Sequence, residues 1–264
     1  ALRQRLGSMQ LNPWLSPDEL LAEFETWLSL GGSAEKRKWE IPFGEGPVRE
    51  VEEQLASLYG KNHALLCNCA TNALLTLALA ADSEGKTVLS GSNSAWTTTP
   101  FLLAGASLVQ AELGAGGVVD PSAVRVQLDS QPVDALLVAD THCGLHDTVA
   151  LREICEAHEL PYWSDAAQSF GQRLGGGVLA SSQADAVILS FGAGAGKIWM
   201  GEIGALLCDD ADLYREAVRI ALHPHRFGRE FSLQQEPAAV GIKATPCPFA
   251  VLALRRFLRN YLAS

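Results

Sequence analysis

Asp134-Ala135-Leu136-Leu137-Val138-Ala139, Tyr162-Trp163-Ser164-Asp165 and Ala186-Val187-Ile188-Leu189-Ser190 are three short apolar runs, and the first two bracket residues 148–158, whose apolar positions recur at helical spacing. Strands that carry apolar residues on both faces must be covered on both, and intervening helices are the usual cover. The stretch therefore predicts a mostly parallel sheet in an α/β fold. Working outward, residues 63–67, 87–90 and 107–111 read as further strands, and residues 48–59, 71–81 and 97–103 as helices. Ser16-Pro17-Asp18-Glu19 has the form of an N-cap with proline at the first helical position, ahead of apolar Leu20, Leu21, Phe24, Trp27 and Leu28. A last helix is expected over residues 249–262. The domain organisation that follows is an N-terminal helical segment at 1–40, a large domain at 41–240 and a C-terminal helix at 241–264.

The 264 residues carry 20 Lys+Arg against 30 Asp+Glu, a formal net charge of −10, with only 19% charged residues. A chain of that length and apolar content buries a sizeable core. The acidic balance lacks the basic footprint that nucleic acid requires. The longest apolar stretch, residues 73–81, is about half of the ~18 residues that span a bilayer, so no membrane segment is expected, and the reading is cytoplasmic. The six cysteines are dispersed through apolar segments and read as reduced thiols. Cys67-Asn68-Cys69 has no second His or Cys pair nearby, so no metal is expected.

Ligands of such sheets sit beyond the carboxyl ends of the strands, which directs attention to the residues after each apolar run. Lys197 ends the tract Gly192-Ala193-Gly194-Ala195-Gly196 and precedes Ile198, Trp199 and Met200. Apolar surroundings favour an unprotonated, nucleophilic amine, as a Schiff-base lysine needs; a solvated loop lysine is the plainer alternative. Ile198 stands where a P-loop would need a hydroxyl, which disfavours a nucleoside triphosphate. Asp165 ends a strand, where a buried carboxylate needs a cation such as a protonated pyridine nitrogen, or else caps the next segment. Ala70 and Thr71 open a helix, offering free amides and a hydroxyl to an anion, or simple capping. Trp96 could lie flat on an aromatic ring or enter the helical core. His142 and the cluster His223-Pro224-His225-Arg226 are polar enough to meet a ligand, with structural and solvated roles as alternatives.

Two stretches carry a more specific signal. Residues 145–171, with Leu151-Arg152-Glu153-Ile154-Cys155-Glu156-Ala157-His158-Glu159-Leu160-Pro161 and then Ser164-Asp165-Ala166-Ala167-Gln168-Ser169-Phe170-Gly171, resemble the DegT-type sugar aminotransferases of aspartate aminotransferase fold type I. Residues 46–81 are similar to that family's opening, its S-N-G-T-A-A-L standing here as Asn68-Cys69-Ala70-Thr71-Asn72-Ala73-Leu74. The resemblance runs from about Phe43 to the C-terminus.

It implies a three-layer fold of the pyridoxal phosphate transferases, with pyridoxal 5'-phosphate as cofactor. Lys197 would form the Schiff base and later move the proton, and Asp165 would pair with the pyridine nitrogen. Gln168 would reach the ring hydroxyl, Ala70, Thr71 and Ser190 would hold the phosphate, and Trp96 would stack on the ring. The implied reaction moves an amino group from an amino acid to a keto-sugar or similar small intermediate, in a homodimer with shared sites. Other pyridoxal phosphate chemistry, a lyase or synthase, and a non-catalytic subunit are the alternatives.

Four features depart from the pattern. The tract before Lys197 is longer than usual. Ile203 stands in Gly201-Glu202-Ile203-Gly204 where the family has glycine. Gly241-Ile242-Lys243-Ala244-Thr245-Pro246 replaces a motif whose asparagine reaches the partner's phosphate, a contact that Lys243 could supply, with a plain surface lysine as the alternative. The small C-terminal domain of these enzymes is expected to be largely absent.

Overall fold

In the computed structural model, residues 16–29, 44–92, 94–114, 117–141, 144–192, 198, 201–221 and 241–264 are described. The elements are α1 (Pro17–Ser29), α2 (Pro47–Tyr59), β1 (His63–Cys67), α3 (Ala70–Ala80), β2 (Thr87–Gly91), α4 (Ala95–Leu103), β3 (Ser107–Gln110), α5 (Pro121–Ser130), β4 (Ala135–Ala139), α6 (Thr148–Ala157), β5 (Tyr162–Asp165), β6 (Ala186–Ser190), β7 (Gly204–Cys208), α7 (Ala211–Ile220) and α8 (Pro248–Leu262). A 3-10 turn, Ala180–Gln183, precedes β6.

The sheet order is β1-β7-β6-β5-β4-β2-β3. β7 runs antiparallel to both neighbours, and every other pairing is parallel. The α/β, mostly parallel expectation holds. Strand side chains alternate between two cores, as the period-two geometry demands. Leu66, Leu89, Leu136, Val187 and Leu207 enter the core shared with α2, α6 and α8. Leu65, Val88, Leu137, Ile188 and Leu206 enter the one shared with α3, α4 and α7.

The N-terminal helix starts as the sequence indicates. The Ser16 hydroxyl accepts the Glu19 amide at 3.2 Å while Glu19 returns a carboxylate to Ser16, a reciprocal capping box. That helix packs on the α2/α6/α8 core through Leu20, and Glu23 and Arg255, both nearly fully buried, pair between α1 and α8. Three elements go unread in the sequence: α5, although Asp120-Pro121 supplies a cap and a first-turn proline; β7, whose apolar run is short; and α7, where the Asp210 carboxylate accepts two amides. Among the described residues no helix is long and apolar enough to cross a membrane.

Candidate active site

The parallel strands β2, β4, β5 and β6 end on one side of the sheet, and the loops that leave them wall a cavity of about 630 Å³. β7 is antiparallel, so its first residue, Gly204, arrives at the same side. A β-carbon on Gly204 would lie 2.4 Å from the Ala70 nitrogen and 2.5 Å from its α-carbon, so only glycine lets the start of α3 dock against the strand. Cys69 caps α3, its Sγ accepting the Asn72 amide at 3.4 Å. The amides of Ala70 and Thr71 have no acceptor within the helix, as the first turn dictates, and both residues line the cavity. From the other side the Asn68 amide donates to the Ala244 carbonyl at 2.7 Å, which ties the loop before α3 to the segment entering α8.

Asp165 ends β5 with 6% of its surface exposed. Its Oδ2 accepts the Thr97 hydroxyl at 2.6 Å and its Oδ1 the Ala167 amide at 3.1 Å. Burial pushes its carboxyl above the ordinary carboxylate range, against the two hydrogen bonds that favour the charged form. Among the described residues no cation pairs with it. Beside it, Asp140 follows β4. One oxygen of Asp140 accepts the hydroxyls of Ser169 and Ser181, which holds the turn carrying Gln168 against the 3-10 turn before β6. Its other oxygen, and the Gln168 side-chain oxygen, are buried without a partner among the described residues. Behind this wall His146 accepts the Val119 amide at Nδ1 (3.0 Å), so its Nε2 carries the proton and donates to the Ala139 carbonyl (2.7 Å).

Of the residues singled out from sequence, Ala70, Thr71, Trp96, Asp165, Gln168 and Ser190 all line this cavity. Trp96 is 76% exposed, which removes its helical-core alternative. Lys243 is exposed on the segment that holds Asn68 and is no part of the wall. Lys197, His142 and residues 223–226 lie outside the described residues. Sequence reading passed over Cys69, Thr97, Asp140 and Glu202. Asp140 had the same signal as Asp165, a carboxylate directly after an apolar strand. Thr97, inside a helix of threonines, had none.

The model of the DegT/DnrJ/EryC1/StrS aminotransferase family matches residues 33–245. The chain belongs to that family. This DegT/DnrJ/EryC1/StrS chain is 26% identical over 212 residues to the UDP-4-amino-4,6-dideoxy-N-acetyl-beta-L-altrosamine transaminase of Helicobacter pylori, a match that covers 72% of the chain and 54% of the relative. It is 29% identical over 157 residues to the transaminase of the same name from Campylobacter jejuni, covering 58% of the chain and 42% of the relative. It thus spans about half the length of the curated relatives it matches. The crystal structure of DesI in the presence of its TDP-sugar product superposes with a TM-score of 0.68 at 25% identity, covering 94% of this chain and 59% of that one.

Proposed function

We propose that this chain is the cofactor-binding part of a pyridoxal 5'-phosphate-dependent aminotransferase that moves an amino group from an amino acid to a nucleotide-linked keto-sugar. The observation that carries the reading is Asp165: a buried carboxylate at the floor of a cavity, held by two donors, with no cation among the described residues. Such a group is costly to keep charged unless a ligand brings a positive charge to it.

The donor set fits the cofactor. Amides at the start of an eleven-residue helix, with the hydroxyls of Thr71 and Ser190, suit a phosphate. The unpartnered Gln168 oxygen suits a ring hydroxyl, and the exposed indole of Trp96 suits a ring face. When bound, pyridoxal phosphate supplies an electron sink for charge developing at the carbon that bears the amino group.

The chain's own residues do the rest. Asp165 keeps a proton on the pyridine nitrogen, and Thr97 and Ala167 fix the direction of that carboxylate. The α3 amides anchor the phosphate, and Trp96 covers one face against water. Lys197 would be the residue that holds the cofactor, and its free amine would carry the proton as general base. Lys243, exposed beside the loop before α3, would be the residue to meet the phosphate of a second copy in a homodimer with shared sites. The family membership and the two transaminase relatives support the nucleotide-sugar substrate class.

Addition of pyridoxal 5'-phosphate to the purified chain tests the reading. A visible imine band is expected, with borohydride reduction fixing the cofactor on Lys197 in a peptide map. A colourless protein, or an adduct on another lysine, overturns it.

A further inference from the structure

The cysteines among the described residues divide by surroundings. Cys67, Cys155 and Cys208 are buried, and burial pushes the Cys155 and Cys208 thiols up to about 12, which keeps those two protonated and inert near neutral pH. Cys247 is exposed and forms no part of the cavity wall. Cys69 is different. It is half-buried, lines the cavity, and stands at the N-cap of α3 next to the two residues assigned to the phosphate.

A sulfur at a helix start is not in itself a site. The same cavity, however, is bordered by polar groups that the protein leaves open. Ser190 lines it with 9% of its surface exposed and no hydrogen bond from its hydroxyl within the described residues. Among the described residues the Gln168 oxygen and one oxygen of Asp140 are buried and unpartnered. Open valences at buried positions point to a ligand in this space. Cys69 forms part of that ligand's boundary, so a substituent on the sulfur would take up volume the ligand needs.

We propose that Cys69 is a modification site at which a small-molecule disulfide of the glutathione class closes the anion cup, an inference that rests on the reading that the cup holds a phosphate ester. In the exchange, Cys69 loses its proton to solvent and the thiolate attacks one sulfur of the disulfide. A protein–glutathione S–S bond forms, the original S–S bond breaks, and the other half leaves as a thiolate that takes up a proton. The small-molecule disulfide is the oxidant, one of its sulfurs being reduced to a thiol as the Cys69 sulfur is oxidised, and excess thiol reverses the step. The attached tripeptide puts bulk and carboxylates where the phosphate would sit. Cofactor loading would then follow the thiol–disulfide balance.

The test incubates the full chain with oxidised glutathione, with and without pyridoxal 5'-phosphate, and maps adducts by peptide mass. The expected adduct is on Cys69, absent from Cys67, Cys155 and Cys208, and suppressed by the cofactor. The modified chain should bind pyridoxal 5'-phosphate at least about tenfold more weakly, with recovery on reduction. In Cys69→Ser, which keeps an N-cap oxygen, affinity should no longer respond to oxidised glutathione. A free Cys69 beside a modified Cys247, or a modified Cys69 with unchanged affinity, overturns the proposal. A second arm needs no cofactor: inorganic phosphate should slow alkylation of Cys69 by iodoacetamide. If pyridoxal 5'-phosphate fails to bind but phosphate still protects, the aminotransferase reading falls and the gated cup stands. If phosphate leaves the rate unchanged, the gated cup falls.

Discussion

The two ends of the sheet treat polar groups in opposite ways. At the end where β2, β4 and β6 begin, a second cavity of about 530 Å³ is rimmed by acidic residues, among them Asp134, Asp185, Asp209 and Asp210. Each of these four has structural work. Asp134 accepts the Thr87 amide at 2.7 Å; Asp185 accepts the Tyr162 amide at 2.8 Å and pairs with Arg152; Asp209 pairs with Lys61 at 2.9 Å; Asp210 caps α7. At the other end, among the described residues, Asp165 has no cation, and Asp140 and Gln168 each keep a buried oxygen unpartnered. By acidity alone the first cavity is the more conspicuous. Hydrogen-bond satisfaction separates the acidic groups of the two rims: those of the first are paired internally, whereas among the described residues Asp165 lacks a cation and Asp140 keeps one oxygen open.

The sharpest way to break this comparison is Asp165→Asn. The amide can still accept from Ala167 and donate to the Thr97 oxygen, so the fold should persist while the electrostatic role disappears. Cofactor-dependent turnover is expected to fall on the order of a hundredfold or more. The cofactor-free variant should be no less stable than the parent at neutral pH. The sign follows from linkage. The folded-state pKa of Asp165 is raised, so its contribution favours folding at low pH and is lost as pH rises through that elevated value. The parent without cofactor should therefore lose stability on that rise relative to Asp165→Asn, with chemical denaturation across pH as the measurement. A variant with full turnover would remove Asp165 from the chemistry.

Gly204→Ala comes next. The added carbon would meet backbone rather than a side chain that can turn away, since the Ala70 nitrogen lies 2.4 Å from its position. The expected cost is about 1–3 kcal/mol in denaturant unfolding, together with weakened cofactor binding, because the start of α3 must shift. The smallest effect belongs to the opposite end. Arg152→Ala removes a partly exposed partner of Asp185 and Glu156, and Asp185 keeps the Tyr162 amide. A loss of about 1 kcal/mol or less is expected, with cofactor affinity unchanged. A change in affinity there would erase the contrast between the two ends.

How much of this the sequence discloses depends on how local the cause is. The central strands are legible because burial on both faces makes them apolar throughout, and Tyr162–Asp165 and Ala186–Ser190 match their expected bounds. Asp165, Ala70, Thr71 and Ser190 are legible because each sits at the junction of an apolar run and a loop. Thr97 is not, since its role comes from a hydrogen bond to a residue on another element, distant in sequence. The direction of β7 is equally hidden. Gly204-Ala205-Leu206-Leu207-Cys208 is as apolar as its parallel neighbours, and nothing in it encodes orientation. The need for glycine at 204 appears only once β7 lies against α3.

β1 has a single neighbour in the sheet, β7, which is encoded far downstream of it. During synthesis β1, the first of the described strands, thus has no described edge to join until β7, the last of them, follows, and the Cys69–Thr71 segment precedes its docking partner Gly204 in the same way. Gly204 of β7 is what the start of α3 docks against, so in the proposed function the seat for the anion is complete only once β7 has been made and docked, which would make cofactor capture a late event in the life of the nascent chain.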